Sequence, residues 1–491
     1  MHFSLARLGN VTLTHAVIRQ AEQGVRGSAD GVRIINTDIL SCEQAVYLSG
    51  TSRQIDIDML HLDDFVLHDS RVVYNEHGVF IVRAANENRH IYIASSIISH
   101  NEIGIFMERN RAQGRESEIF KTHVYVTDCH IEANSQHGIS NEAQSSLIVE
   151  RSSLIGPSEH AYYSNHNHNP LQVTFRDTYF TGFSYAAVHV SCVDCDTVSW
   201  SFYNNYFENI ERQGLYISHA EPNTAYLNLD VVNNTFNGLT GSTYAIHITI
   251  GVTDRFVVEN NTFHSSQGGI YVEGYYVNDA SAVSLAGNRF INVGPNGHSI
   301  KTHAVTVYIT GNLFENCTAP SLIHLQSRSD HVISENWFIN NKVSICFIEV
   351  NPDNLFDRLS SIQANRNYWD TQDVHRIKDV ICDFFLDSNR ARVEMTEFYT
   401  SADMSTVVTR PDDFLYQVHP DQNTVVIGGV ISPLTDTSIV TDHGYDILVN
   451  RSIIVEDGVT LNIHSLTMLF SEYRGVVVFG ELMYYFTRTH S

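Results

Sequence analysis

Few residue groupings in this chain have the types and spacing that chemistry needs. Glu159-His160 followed by His166-Asn167-His168 places metal-type ligands close together with H-x-H spacing. Most loops of that composition are solvated turns, and the pattern alone assigns no ion. Cys192 and Cys195 form a lone C-x-x-C without a second ligand pair, so ordinary packing is the expectation for both. No Gly-rich phosphate loop, nucleophile elbow or HExxH motif is present. The expectation is therefore no metal, no cofactor and no catalytic residue. Lysine-based catalysis has only four candidates, Lys121, Lys301, Lys342 and Lys378.

Which side chains can meet depends on the repeat that carries them. The phrase N-x-F recurs at Asn205, Asn234, Asn261, Asn288, Asn312 and Asn336, and with Trp for Phe at Asn367, at intervals of 24 to 31 residues. Upstream the phrase degrades, with Phe180, Leu154, Ile131, Ile98 and Ile39 in the anchor place and a weaker turn around Leu67. Seven and five residues before each anchor stand two apolar columns, for example Trp200/Phe202, Leu229/Val231 and Phe256/Val258. A second alternating pair follows about seven residues after it, as in Val188/Val190, Leu215/Ile217 and Ile345/Phe347. Alternation with period two marks a strand with one buried face.

Units of this size holding only short strands cannot each close a core, so they must stack and share one. The prediction is an all-β, right-handed parallel β-helix of about twelve coils over residues 1–370. In such a stack the seven asparagines form one amide ladder, a structural role.

The stack also decides which outward residues line up. On the first strand they run Tyr92, Tyr125, Ile148, Thr174, Ser201, Asp230, Val257, Ser284, Tyr308 and Val332. A polysaccharide lyase or epimerase would want carboxylates on neighbouring coils to hold a cation, with Arg or Lys as base. One carboxylate in that column does not make such a cradle. The second strand's column reads His189, Tyr216, His247, Tyr271, Lys301, His324 and Cys346. Stacked rings stabilise a sheet surface; the same rings could serve as a recognition stripe. The candidate binding residues are His189, Tyr216, His247, Tyr271 and His324.

The pattern stops at Asn367-Tyr368-Trp369-Asp370. From Asp373 to Leu386 apolar residues fall at helical spacing, which predicts a short capping helix, and residues 387–420 read as a polar linker, giving a cap-and-linker segment over 371–420. Short β runs then resume, so 421–491 reads as the start of a second, incomplete β-helix. The chain begins and ends inside repeat-like sequence, as a fragment would.

Composition narrows the partners. Fifty-five acidic residues against 30 basic ones give a formal charge of -25, which disfavours nucleic acid and anionic lipid. No apolar run approaches the ~18 residues that span a bilayer. Seven cysteines in 491 residues do not form a disulfide framework, and sequons at Asn10, Asn233, Asn260, Asn316 and Asn450 permit secretion without requiring it.

The end motif Asn367-Tyr368-Trp369-Asp370, with Arg376-Ile377-Lys378-Asp379 and Asp383-Phe384-Phe385, resembles the close of β-helix segments in the bark beetle (anakonda) family of tricellular-junction proteins. The restart from Tyr445-Asp446-Ile447-Leu448-Val449 to Val459-Thr460-Leu461 is similar to their next segment's opening. Asp370 stands where that family has Gly, and its scavenger-receptor, lectin-like and membrane-spanning parts have no counterpart here. The resemblance implies an extracellular, non-enzymatic adhesion scaffold at cell junctions, with protein partners at the cell surface and glycans as a second class. The alternatives are a polysaccharide-active β-helix enzyme and a glycan-binding spike.

Overall fold

The computed structural model describes residues 11–27, 32–48, 65–82, 89–108, 122–143, 145–165, 172–192, 198–219, 226–239, 241, 244–274, 282–326, 331–351, 361–383, 386–387, 390–409, 415–419, 424–431, 438–439, 446–455, 459–464, 468–471, 474, 476–478 and 481–485. They fall into two compact units, Met1–His298 and Ser299–Ser491.

In the first unit each coil contributes one short strand to each of three parallel sheets. The first sheet runs through eleven strands, from Val11–Thr14 to Ala282–Ala286, and the second through eleven, from Val17–Arg19 to Arg289–Ile291. The third takes ten, from Gln23–Gly27 to Ile270–Gly274. Alternation explains the strands: in Val198–Tyr203 the residues Val198, Trp200 and Phe202 are buried, while Ser199, Ser201 and Tyr203 face outward. The first sheet's outward column runs in register from Tyr92 through Tyr125, Ile148, Thr174, Ser201 and Asp230 to Val257 and Ser284, as the repeat predicts. One anchor differs. Leu67 lies on the first sheet and Val72 holds the anchor column, because Leu67 pairs with Ile93 and Val72 with Ile98.

Phe180, Phe207, Phe236, Phe263 and Phe290 form a single interior row with ring centroids 4.6 to 5.0 Å apart and planes within 5°. Burial of each ring contributes about 1.5–3 kcal/mol, with ~1 kcal/mol more for stacking. Beside the row runs the amide ladder. Asn205, Asn234 and Asn261 each donate both the backbone N–H and the side-chain amide to the Oδ1 of the asparagine one coil on, ending at Asn288, at 2.9 to 3.0 Å. Upstream the same turn position carries Thr37, Ser70, Ser96, Cys129, Ser152 and Thr178; the hydroxyls of Ser70, Ser96 and Ser152 accept the backbone N–H of Thr37, Ser70 and Cys129, and Thr178 donates its own N–H to Asn205 Oδ1. A second amide ladder, Asn75–Asn101–Asn134, occupies the next corner. The turn before each second-sheet strand needs a left-handed residue, supplied by Asp177, Asn204, Asn233 and Asn260 and then by Gly287, where a Cβ would lie 2.4 Å from Asn260 Oδ1.

The second unit has coils of the same design. Asn312, Asn336 and Asn367 continue as a ladder, and Phe314, Phe338 and Trp369 as a ring row. The helix is shorter than its pattern predicts, Val374–Asp379. The segment read as linker is partly ordered on the stack: Arg392–Glu394 pairs with Ser361–Gln363, and Glu397–Tyr399 with Asn367–Tyr368. The antiparallel strand Val407–Thr409 then covers that edge. Against about twelve coils expected, the first unit holds eleven and further ones follow here; the first coil (Val11–Gly27) lies upstream of the first anchor, Ile39, and the strands Arg392–Glu394 and Glu397–Tyr399 fall in the segment read as linker. Farther on, Thr424–Ile431, Asp446–Val455 and Met468–Phe470 pair in parallel around a core of Val425, Ile427, Ile447, Val449 and Ile453.

Candidate functional site

The third sheet of the first unit carries the ring stripe. His189 pairs with Tyr216, Tyr216 with His247, and His247 with Tyr271. Their ring centroids lie 4.8, 5.2 and 4.7 Å apart in that order. All four are half-buried, so mutual contact takes up much of their surface. Burial, reinforced by the charge of Glu273, pushes the Tyr271 phenol up to about 12, and burial also raises Tyr216.

The stripe extends upstream to residues that the repeat search did not place on it. His189 pairs with Tyr163 and Tyr163 with Ser140, while three residues earlier on the same strands His137 pairs with His160. Tyr163 lies over His137 at 4.5 Å with planes 11° apart, and His160 sits 5.1 Å from Tyr163 and 4.9 Å from His189. Tyr185, from the stretch entering the strand Ala186–Cys192, stands edge-on to His160 at 5.1 Å, with the Arg212 guanidinium over its ring at 4.4 Å. Together with exposed Glu159 and Ser184 these rings line an open concavity of about 500 Å3. The solvated turn expected over Glu159 to His168 is corrected at His160, a buried strand residue that donates Nδ1–H to the Ala186 carbonyl at 3.1 Å. His166, Asn167 and His168 lie outside the described residues, as does Cys195.

The electrostatics follow from enclosure. Burial holds His137, His160 and His189 at about 4, below the ordinary 6.5, so all three are uncharged at neutral pH. The concavity therefore offers neutral ring edges, phenol and serine hydroxyls and one carboxylate at its rim, a set suited to polar, hydroxyl-bearing or peptide surfaces.

His324 belongs to the second unit, where its imidazole is held by Glu349. Its register neighbours are Lys301 and Glu349. Cys346, expected in this column, instead pairs with Ser321, is buried, and forms a disulfide with Cys382. The run Ile345-Cys346-Phe347-Ile348 is apolar without a break, so alternation does not choose a face; Ile348 and Val350 point inward and Ile345 is 50% exposed. Glu349 is thus the outward residue that sequence reasoning missed. Burial would raise its carboxyl, but hydrogen bonds from His324 (2.9 Å) and Ser321 (2.6 Å) and the charges of His324 and Arg390 overcome that and hold it at about 2. His324 is 12% exposed and Glu349 8%. A carboxylate so fully engaged ties the strand Cys346–Asn351 to Arg390, which also bonds the Cys382 carbonyl; it works as a structural node. Asp230, the one carboxylate of the first sheet's outward column from Tyr92 to Ser284, is similarly engaged by Arg255 at 2.7 Å and the Tyr203 hydroxyl at 2.9 Å.

No helix among the described residues is long and apolar enough to cross a membrane. No curated protein and no solved structure matches this chain. Residues 190–368 match the family model described as a right handed beta helix region, and with the parallel three-sheet stack this makes the fold a right-handed parallel β-helix.

Proposed function

We propose that this chain is a non-enzymatic extracellular recognition scaffold, part of an adhesion protein that organises cell junctions, and that it takes its partner on the third-sheet face of the first unit. The observation carrying the reading is the ring-lined concavity around His137, His160, Tyr163, Tyr185 and His189, set on strands bonded on both sides. Rigid backing of this kind presents amphipathic rings with little ordering left to do on binding. The Cys346–Cys382 disulfide supports an oxidising compartment. Sequon residues Asn233, Asn260, Asn316 and Asn450 are exposed, which suits a secreted surface. A charge of -25 favours a protein or glycan partner over nucleic acid or anionic lipid. The resemblance to the bark beetle family supports the junctional setting.

The test is a binding screen of the full chain against cell-surface ectodomains and a glycan array at pH 7. Tyr163→Ala and His189→Ala should each weaken the interaction found at least ten-fold, whereas Asp230→Ala on the first sheet should leave it unchanged. In parallel, the chain is incubated with pectate and alginate. Accumulation of unsaturated product would replace this reading with a polysaccharide lyase.

A further inference from the structure

His137, His160 and His189 sit on three successive strands of the third sheet, with ring centroids 5.4 Å apart for the first pair and 4.9 Å for the second. We propose that this stack is an acid-operated latch: the uncharged rings hold three coils together at neutral pH, and protonation in mild acid parts them and dismantles the recognition face. Its biological purpose rests on the face being the binding surface; its physical test does not.

The surroundings make the stack intolerant of charge. Nδ1 of His137 and Nδ1 of His189 are shut off from solvent without a hydrogen-bond partner, and burial outweighs the Gln136 backbone oxygen that favours the His137 cation. On the preceding coil Glu102 is already bonded by the Gln136 side chain, and Phe106 is stacked by His77 of the coil before it. Within the stack the neighbours are the phenols Tyr163 and Tyr185. On the following coil Tyr216 covers His189, Glu211 is exposed, and the Arg212 cation over Tyr185 adds to any positive charge. The carboxylate lining the concavity, Glu159, is exposed at its rim. Three cations a ring-stack apart would repel one another in a poorly solvated site.

The size of the effect follows from linkage. A histidine held at about 4 when enclosed and returning to 6.5 when exposed makes the opened state about twenty-fold more populated at pH 5 than at pH 7. The factor multiplies for each further histidine released.

Hydrogen exchange on the full chain, corrected for the intrinsic pH dependence of exchange and compared between pH 7 and pH 5, reads the latch directly. Protection in His137–Asn141, His160–Asn165 and Ala186–Cys192 should fall about twenty-fold or more, while Val198–Tyr203 and Tyr226–Val232 on the first sheet change less than about two-fold. The triple variant H137Q/H160Q/H189Y should lose the pH response. If the triple variant does not fold, H189Y alone decides, since Tyr163 and Tyr216 show that this column accepts tyrosine; it should retain a smaller response than wild type. Uniform loss, no loss, or an unchanged response in the variants overturns the proposal. A negative binding screen at pH 7 alongside a positive exchange result removes the recognition reading and leaves the latch standing.

Discussion

The amide ladder makes a sharp prediction at Asn261, which is fully buried. Its Oδ1 accepts from the Asn234 backbone N–H at 2.9 Å and from Asn234 Nδ2 at 3.0 Å. Its Nδ2 donates to the Val231 carbonyl at 2.8 Å and to Asn288 Oδ1 at 3.0 Å. Alanine removes all four bonds. The Asn234 backbone N–H is left without its side-chain acceptor, at a cost of ~1–3 kcal/mol, while Asn234 Nδ2 keeps the carbonyls of Phe202 and Val232. The other three lost bonds cost ~0.5–1.5 kcal/mol each, so Asn261→Ala should lose on the order of 3–7 kcal/mol. Asn261→Asp keeps the acceptor but points a carboxylate oxygen at two acceptors with no cation supplied, which favours its protonated form in the folded state. Its folded pKa is then raised above the unfolded value, so its destabilisation is worst at pH 7 and eases as pH falls through the folded pKa. Urea unfolding with hydrogen exchange to localise the effect would measure both variants. An alanine variant within about 1 kcal/mol of wild type, or an aspartate variant indifferent to pH, would refute the view that the ladder stabilises the stack.

Three further outcomes are expected. Cys346→Ser should destabilise the second unit by about 4 kcal/mol on the chain-entropy estimate for a separation of 36 residues, read as a lower urea midpoint that reductant reproduces in wild type. Because Glu349 is depressed from an ordinary 4.5 to about 2, its network contributes stability above pH 4.5 that drains away as pH falls toward 2; Glu349→Gln should flatten the second unit's acid-unfolding profile in that window. Gly104→Ala should cost about 3 kcal/mol by thermal unfolding, since its Cβ would lie 2.5 Å from the Gly138 carbonyl oxygen, a backbone atom of the next coil that cannot swing away.

Much of the fold was legible because the repeat is written in chemically specific letters. An N-x-F phrase every 24 to 31 residues names the ladder amide and the stacked ring together, and flanking alternation sets the facing of the strands. The pairing of His189, Tyr216, His247 and Tyr271 followed from that arithmetic alone. Where letters change, the arithmetic fails. Serine hydroxyls accept in place of the amides upstream of Asn205, so the phrase disappears while backbone-to-side-chain bonds persist at Thr37, Ser70 and Cys129.

The sequence by itself determined that short strands must stack in register and which rings would then lie in rows, because period-two burial and a shared core allow few other arrangements. Tertiary structure decided what no spacing could state. It brought His137, His160 and Tyr163 beside His189 across loops of unequal length. It turned Glu349 rather than Cys346 outward within a run apolar on both faces, and it joined Cys346 to Cys382. Those outcomes depend on where each loop returns its strand, and loop length constrains that return only loosely.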